Sequence, residues 1–252
     1  MNSVGLLLMR AGSVARLLAV QVEVGQHITR KVLGLTVDVD IVGSTVIAGL
    51  IVIGLGLWMR HKATSGVPGR LQLFWETVVS QVEELADSTI GPGGRKVVPL
   101  AVALFLLILV ANFIEIVPTG ATRSLLPAPT EDVNLPYAMA LTVFILVQIA
   151  GVRARGIRGY FGHFLKPYKA IAPLNLLEEL TKPITLSLRL FGNMFASGLM
   201  LTLIAVLMPV YVVPFGDIIW KLFETFIWFI QAFIFALLTV VYFGMAMEAS
   251  EH

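Results

Sequence analysis

Arg189 and Asn193 stand four residues apart within LSLRLFGNMF, where nearly every neighbour is apolar, and Thr185 precedes the arginine by four more. A four-residue step drifts slowly around a helix of 3.6 residues per turn. The three groups therefore form one polar stripe, joined by Glu178 seven residues before Thr185. Glu224 and Gln231, seven apart, share a face further along, and Asn112 and Glu115, three apart, form a third patch earlier. A guanidinium keeps its proton, carboxyls take up and release theirs, and amides both donate and accept. The chemistry open to this set is the handling of an ion within an apolar medium.

An arginine at the centre of a membrane helix costs roughly 2.5–3.5 kcal/mol on insertion scales and ~10–17 kcal/mol in simulations of isolated helices. Two readings of Arg189 alone are evenly matched: a structural one, in which it snorkels or pairs with Glu224, and a functional one. Polar groups on three separate stretches favour the second, because at membrane depth such groups face one another or a water-filled path, as along an ion route. Lys182, before Pro183, reads as a snorkelling cation near a helix end, with the proline kinking the helix or marking its entry. Gly192, Ala196, Ser197 and Gly198 read as small residues for close helix packing. The aromatic residues of FETFIWFIQAFIF read as lipid-facing or packing groups.

The elements that would carry these residues are membrane helices. Of 252 residues 57% are hydrophobic and 13% charged, and mean hydropathy is +0.87. Spans are expected at about 41–59, 97–117 and 135–152, each near the ~20 residues that cross the hydrocarbon core. Segments 174–208 and 217–247 are too long for perpendicular crossings. Joined by MPVYVVPFG, they suggest a strongly tilted hairpin. Between the first two spans, RLQLFWETVVSQVEELADS has Leu71, Phe74, Trp75, Val78, Val79 and Val82 on one face and Glu76, Gln81, Glu83 and Glu84 on the other. It reads as an amphipathic helix on the membrane surface, about 70–89, closed by GPGGRK. Residues 1–40 read as an extramembrane segment. The apolar run before Arg10 is shorter than a signal core and Arg16 interrupts the next, so no targeting segment is expected. The fold class is thus an all-α integral membrane protein of about five membrane helices, with 41–252 one membrane domain.

Several classes fall away. The chain has no cysteine, and its four histidines (27, 61, 163 and 252) show no ligand-like spacing, so no metal site or cofactor is expected. A Gly-rich phosphate loop and a nucleophile elbow are both missing from the sequence. With a net charge of +2 and no basic patch interleaved with aromatics, nucleic acid is not a partner. No internal repeat is evident. Arg60, Lys62, Arg70, Arg95, Lys96, Arg153, Arg155, Arg158, Lys166 and Lys169 cluster on one side of the spans, with Arg123 opposite, which makes the first side cytoplasmic. Arg10, Arg16, Arg30 and Lys31 run against that rule, so orientation rests on the later loops. The N-terminus is placed outside and the C-terminus in the cytoplasm.

NLLEELTKPITLSLRLFGNMF, followed by IQAFIFALLTVVYF, resembles subunit a of the F-type ATP synthase, in its bacterial and actinobacterial-looking form. The likeness extends to ANFIEIVP, EDVN, GVPGRLQLFWE and the tail MEASEH, and so covers nearly the whole chain after residue 20. It implies a stator of the membrane Fo sector in a bacterial plasma membrane, working with a c-subunit ring, b-type peripheral stalk subunits and the rest of the F1Fo complex, and catalysing nothing alone. By this likeness Arg189 is the essential arginine facing the c-ring carboxylate, with Asn193 and Gln231 as its polar companions. Asn112 and Glu115 resemble groups lining the outer proton half-channel, and Glu178 or Glu179 the acid at the cytoplasmic one. The chain has Gly198 where some relatives carry a second ionisable side chain, and Glu224 where they carry His. Glu224 is left as the expected single relay of the outer path.

Physical chemistry agrees with these implied roles. A carboxylate travelling through lipid must be protonated, yet must give up its proton at one channel and accept another at the second. A fixed positive charge between the channels favours the ionised carboxylate as it passes and repels protons from a direct leak. Arginine holds that charge, where lysine could lose it. The membrane potential supplies about 2.3 kcal/mol per charge for each 100 mV. A self-contained channel or secondary transporter, the alternative, would show inverted halves or broken half-helices, and a voltage sensor would show several spaced arginines on one helix. An intramembrane hydrolase would need a nucleophile with a base. The sequence displays none of these.

Overall fold

The computed structural model describes residues 29–32, 35–64, 66–91, 94–114, 129–130, 132–163, 171–209 and 211–247. Among the described residues, five helices are long and apolar enough to cross a membrane, and the chain is an all-α multi-pass membrane protein. A short antiparallel hairpin precedes them: β1 (Thr29–Val32) pairs with β2 (Leu35–Asp38) in the register Thr29 to Asp38 and Val32 to Leu35. The 1–40 segment was expected only to be extramembrane, and this hairpin is an addition to that reading.

Helix α1 (Val39–Lys62) is apolar along most of its length and ends on Arg60, His61 and Lys62, of which the cations Arg60 and Lys62 complement the negative end of its dipole. It buries only Ile41, Ser44 and Ala48, the last against Ala111 and Ile114 of α3 (Val98–Ile114). Helix α2 (Arg70–Ile90) is amphipathic, as its spacing requires. Its Val82 and Ala86 join the main core, while its acids stay exposed. Gly91 closes it at φ 77°, a left-handed conformation that glycine adopts without strain, and a 3-10 turn at Gly94–Lys96 leads into α3.

Helix α4 (Asn134–His163) runs well past the expected end near Val152. Arg153, Arg155 and Arg158 therefore sit on helix and not in a loop, and the helix is interrupted at Gly156 (φ 71°). Helix α5 (Ala172–Leu207) begins with Pro173 in its first turn and continues on both sides of Pro183. Helix α6 (Val213–Met247) starts four residues before the expected Asp217, because Pro214 sits in the first turn, where its missing N–H costs nothing. At ~1.5 Å per residue α5 and α6 are ~54 and ~52 Å long against a hydrocarbon core of ~30 Å. They must tilt or project beyond it.

Helix α6 is the centre, packing against α2, α3, α4 and α5. Phe235 and Val240 of α6, Ile108 of α3, Val143 of α4 and Leu186 and Leu190 of α5 form one buried cluster. In lipid the hydrophobic effect does not drive such contacts, so close van der Waals fit must, and small residues mark the tightest places. A Cβ on Gly244 of α6 would stand 2.8 Å from Thr89 Cγ2 on α2, and one on Gly151 of α4 would stand 2.5 Å from the Tyr160 ring.

Candidate functional site

The drift of the α5 stripe decides what each polar residue meets. Successive four-residue steps rotate ~40° each, so Asn193 lies ~80° around the helix from Thr185. Thr185 and Arg189 consequently stand on the exposed face among Ile184, Leu188 and Phe195, whereas Asn193 is half-buried and turned toward α6. There its Nδ2 donates to Gln231 Oε1 at 3.0 Å. Arg189 forms no hydrogen bond or ion pair with a described residue, although Tyr242 of α6 lies within its electrostatic reach.

Glu224 and Gln231, seven apart, share the buried face of α6 as their spacing predicts, each 3% exposed. Both Glu224 carboxyl oxygens and Gln231 Nε2 lack a hydrogen-bond partner among the described residues. Ser197 of α5 is the hydroxyl beside Glu224, and its Oγ accepts from Trp220 Nε1 at 3.2 Å. One turn beyond Glu224, Trp228 packs on Met194 and meets Phe113 of α3 edge-on, with ring centroids 6.1 Å apart. Glu224 is thus enclosed by α6 and its neighbours. It is not the counter-ion of Arg189, and the structural reading of that arginine loses its partner.

On α3, Asn112 is fully buried. Its Oδ1 accepts from Thr130 Oγ1 at 2.6 Å, and its Nδ2 has no partner among the described residues. Glu115, expected beside it, lies outside the described residues.

A second polar cluster gathers near the α4 break. Glu179 of α5 accepts at Oε1 from Gln148 Nε2 of α4 at 2.9 Å and pairs at Oε2 with Lys182 Nζ at 2.6 Å. Gln148 Oε1 in turn accepts from the Tyr160 hydroxyl, beyond Gly151 and the Gly156 break. Lys182 also lies 5.7 Å from the Tyr242 ring centroid. Of the two neighbouring acids, Glu179 is the one brought into this cluster, while Glu178 points to an exposed face. Sequence reasoning missed Gln148, Tyr160, Tyr242, Ser197 and Trp220. Gln148 was the one that could have been found, as the lone amide in an otherwise apolar span.

The small residues of α5 divide likewise. Ser197 is buried against α6, but a Cβ at Gly192 or Gly198 would meet nothing within 4 Å. At these two positions the described residues leave room on α5 for a side chain. Among the described residues, no group of three or more His, Cys, Asp or Glu side chains could hold a metal ion.

An outward-facing cation on one long membrane helix, backed by a buried carboxyl and two amides on its neighbours, defines a polytopic membrane protein with an intramembrane polar seam. Residues 42–244 match the model of the ATP synthase A chain family, and the chain belongs to that family. It is 47% identical to ATP synthase subunit a of Acidothermus cellulolyticus over 93% of this chain and 86% of that protein. Over the same share of this chain it is 47% identical to ATP synthase subunit a of Mycobacterium bovis, covering 97% of that protein. These relatives are of the bacterial, actinobacterial kind that the sequence motifs resemble.

Proposed function

We propose that this chain is the stator subunit of the Fo sector of a rotary ATP synthase, forming two proton half-channels against a c-subunit ring and coupling proton flow to rotation and ATP synthesis. The observation that carries the reading is the placement of Arg189: an exposed, permanently charged side chain on an apolar helix face, with no hydrogen-bond or ion-pair partner among the described residues. Such a charge in lipid is offset best by a carboxylate on another chain.

In this reading the outer half-channel approaches through Asn112, Glu115 and Glu224 toward Gln231 and Asn193. Glu224 is the proton relay: it is buried with the Ser197 hydroxyl beside it, and neither carboxyl oxygen has a hydrogen-bond partner among the described residues. The inner half-channel opens at Glu179, with Glu178 outside it, and Thr185 lies between that mouth and Arg189. A proton delivered by Glu224 neutralises a ring carboxylate, which then leaves Arg189 for lipid. On its return from the other side the carboxylate loses its proton toward Glu179, and ion-pairs with Arg189 before the next cycle. Arginine gives up no proton and acts as an electrostatic gate.

The chain would catalyse nothing alone, and its partners would be the c-ring, b-type stalk subunits and membrane lipid. Five crossings put the two ends of the chain on opposite faces. Lysine and arginine placement favours an N-terminus outside and a cytoplasmic C-terminus in a bacterial plasma membrane. A self-contained channel fits less well, since its charged residues would face a path enclosed by the same chain. Copurification tests the partnership: a c-ring and a b-type stalk held by the tagged chain support it, and transport by the chain alone refutes it.

A further inference from the structure

Where α3 enters and α4 leaves the membrane, an open groove runs between α3, α4 and the end of α6. Lys96 and Arg153 stand on its rim, and Leu100, Leu146, Ile149 and Phe243 line its walls. Its volume is about 470 Å³, within the ~300–1,000 Å³ usual for sites that hold small molecules.

The cations nearby differ in how they are used. Arg95 pairs with Asp87 at 3.4 Å, and Arg155 donates to the carbonyl of Met245 at 2.7 Å, which ties α4 to the end of α6 and shapes the groove. Lys96 and Arg153 are exposed and form no hydrogen bond or ion pair with a described residue. Among the described residues, no acid lines the groove. Two unpaired cations above an apolar trough match an anion carrying a long apolar tail. An arginine can grip a phosphodiester through two N–H groups, and a lysine adds a point charge.

We propose that this groove is a binding site for an anionic phospholipid, its phosphate held between Lys96 and Arg153 and an acyl chain lying along Leu100, Leu146, Ile149 and Phe243. Basic pockets between membrane helices hold such headgroups for the same reason. The site rests on α3 and α4 lying in the membrane and is independent of the proton path. A bound lipid would brace the junction of α3, α4 and α6 at the edge where the Glu179 cluster also lies.

The test uses the assembled, detergent-purified complex mixed with phosphatidylcholine vesicles that contain a photoactivatable phosphatidylglycerol or, separately, a photoactivatable phosphatidylcholine. Phosphatidylglycerol should label the peptides spanning 97–100 and 146–154. K96Q/R153Q should lower that labelling about 30-fold, as the loss of two surface cations implies, while K96R/R153K preserves it. Should the charge-removing pair fail to assemble, Ile149→Trp, which fills the trough and keeps both charges, must abolish labelling instead. Equal labelling by phosphatidylcholine, labelling indifferent to these substitutions, or a photocrosslinker at Ile149 that captures another subunit in place of lipid would overturn the site. ATP-driven proton pumping, measured on the same preparations, reports separately on the proposed function and should persist in K96R/R153K.

Discussion

Asn193 on α5 donates to Gln231 on α6 at 3.0 Å, a side-chain hydrogen bond across the two long helices and one turn beyond Arg189. It fixes the rotation of α5 against α6, and thereby the direction in which Arg189 faces. Because Gln231 is buried and its Nε2 already lacks a partner among the described residues, replacing Asn193 with Leu alone should destabilise the chain by about 1–3 kcal/mol. The double variant N193L/Q231L should recover most of that loss. Thermal unfolding of the purified complex measures both; additive losses would show that the pair is not coupled.

Glu224→Gln separates transport from stability. The substitution keeps the side chain's volume and removes a group that can ionise where it has no protein partner, so stability should hold or rise. Proton delivery should fall by tenfold or more, in the range of a positioned proton-transfer group (~10²–10⁴) or below it. Respiration-driven ATP synthesis in inverted vesicles reads the second quantity. An unchanged rate would remove Glu224 from the proton path.

The Glu179 cluster depends on residues from the far side of the α4 break. Tyr160→Phe deletes the donor that orients the Gln148 amide, and proton flux should fall about two- to tenfold, as a hydrogen bond worth ~0.5–1.5 kcal/mol implies. Gly151→Val should reproduce the defect, because even a Cβ there would stand 2.5 Å from Tyr160 Cε2 and 3.3 Å from the carbonyl of Ala246. Passive proton conduction through the membrane sector checks this. Normal conduction in Tyr160→Phe would show that the cluster is purely structural.

At Gly244 the constraint is packing. A Cβ would meet Thr89 Cγ2 at 2.8 Å and the Thr89 carbonyl at 3.3 Å, so Gly244→Leu should push α2 from α6 and cost about 1–3 kcal/mol or more. Gly198→Leu should cost little within this chain, since a Cβ there meets nothing within 4 Å. Comparing the thermal stabilities of the two variants gives the contrast directly.

How much of this was legible beforehand follows from what each signal measures. Hydropathy located the spans because apolar length is itself the physical requirement for crossing, and α1 and α3 lie close to where it put them. Gly91 closed α2 within GPGGRK, as its positive φ explains. The end of α4 was misplaced because Arg153, Arg155 and Arg158 lower hydropathy without weakening the helix. Spacing correctly paired Glu224 with Gln231 on one face, but treated Thr185, Arg189 and Asn193 as a single stripe. The ~40° drift per step instead sends Arg189 outward and Asn193 inward. The cluster escaped notice because Gln148, held by Tyr160 on its own helix, reaches Glu179 on another helix 31 residues away, and no periodicity within one helix reports a contact between two. The choice between Glu178 and Glu179 likewise needed the rotation of α5 against α4.

The central claim is that Arg189 is the gate, and ATP-driven proton pumping by the assembled complex carrying Arg189→Ala tests it most directly. The account predicts an intact complex with its c-ring and stalk bound and no pumping, and with Arg189→Lys a complex that pumps poorly or leaks, because lysine can lose the charge. Full pumping by the assembled Arg189→Ala complex would contradict it.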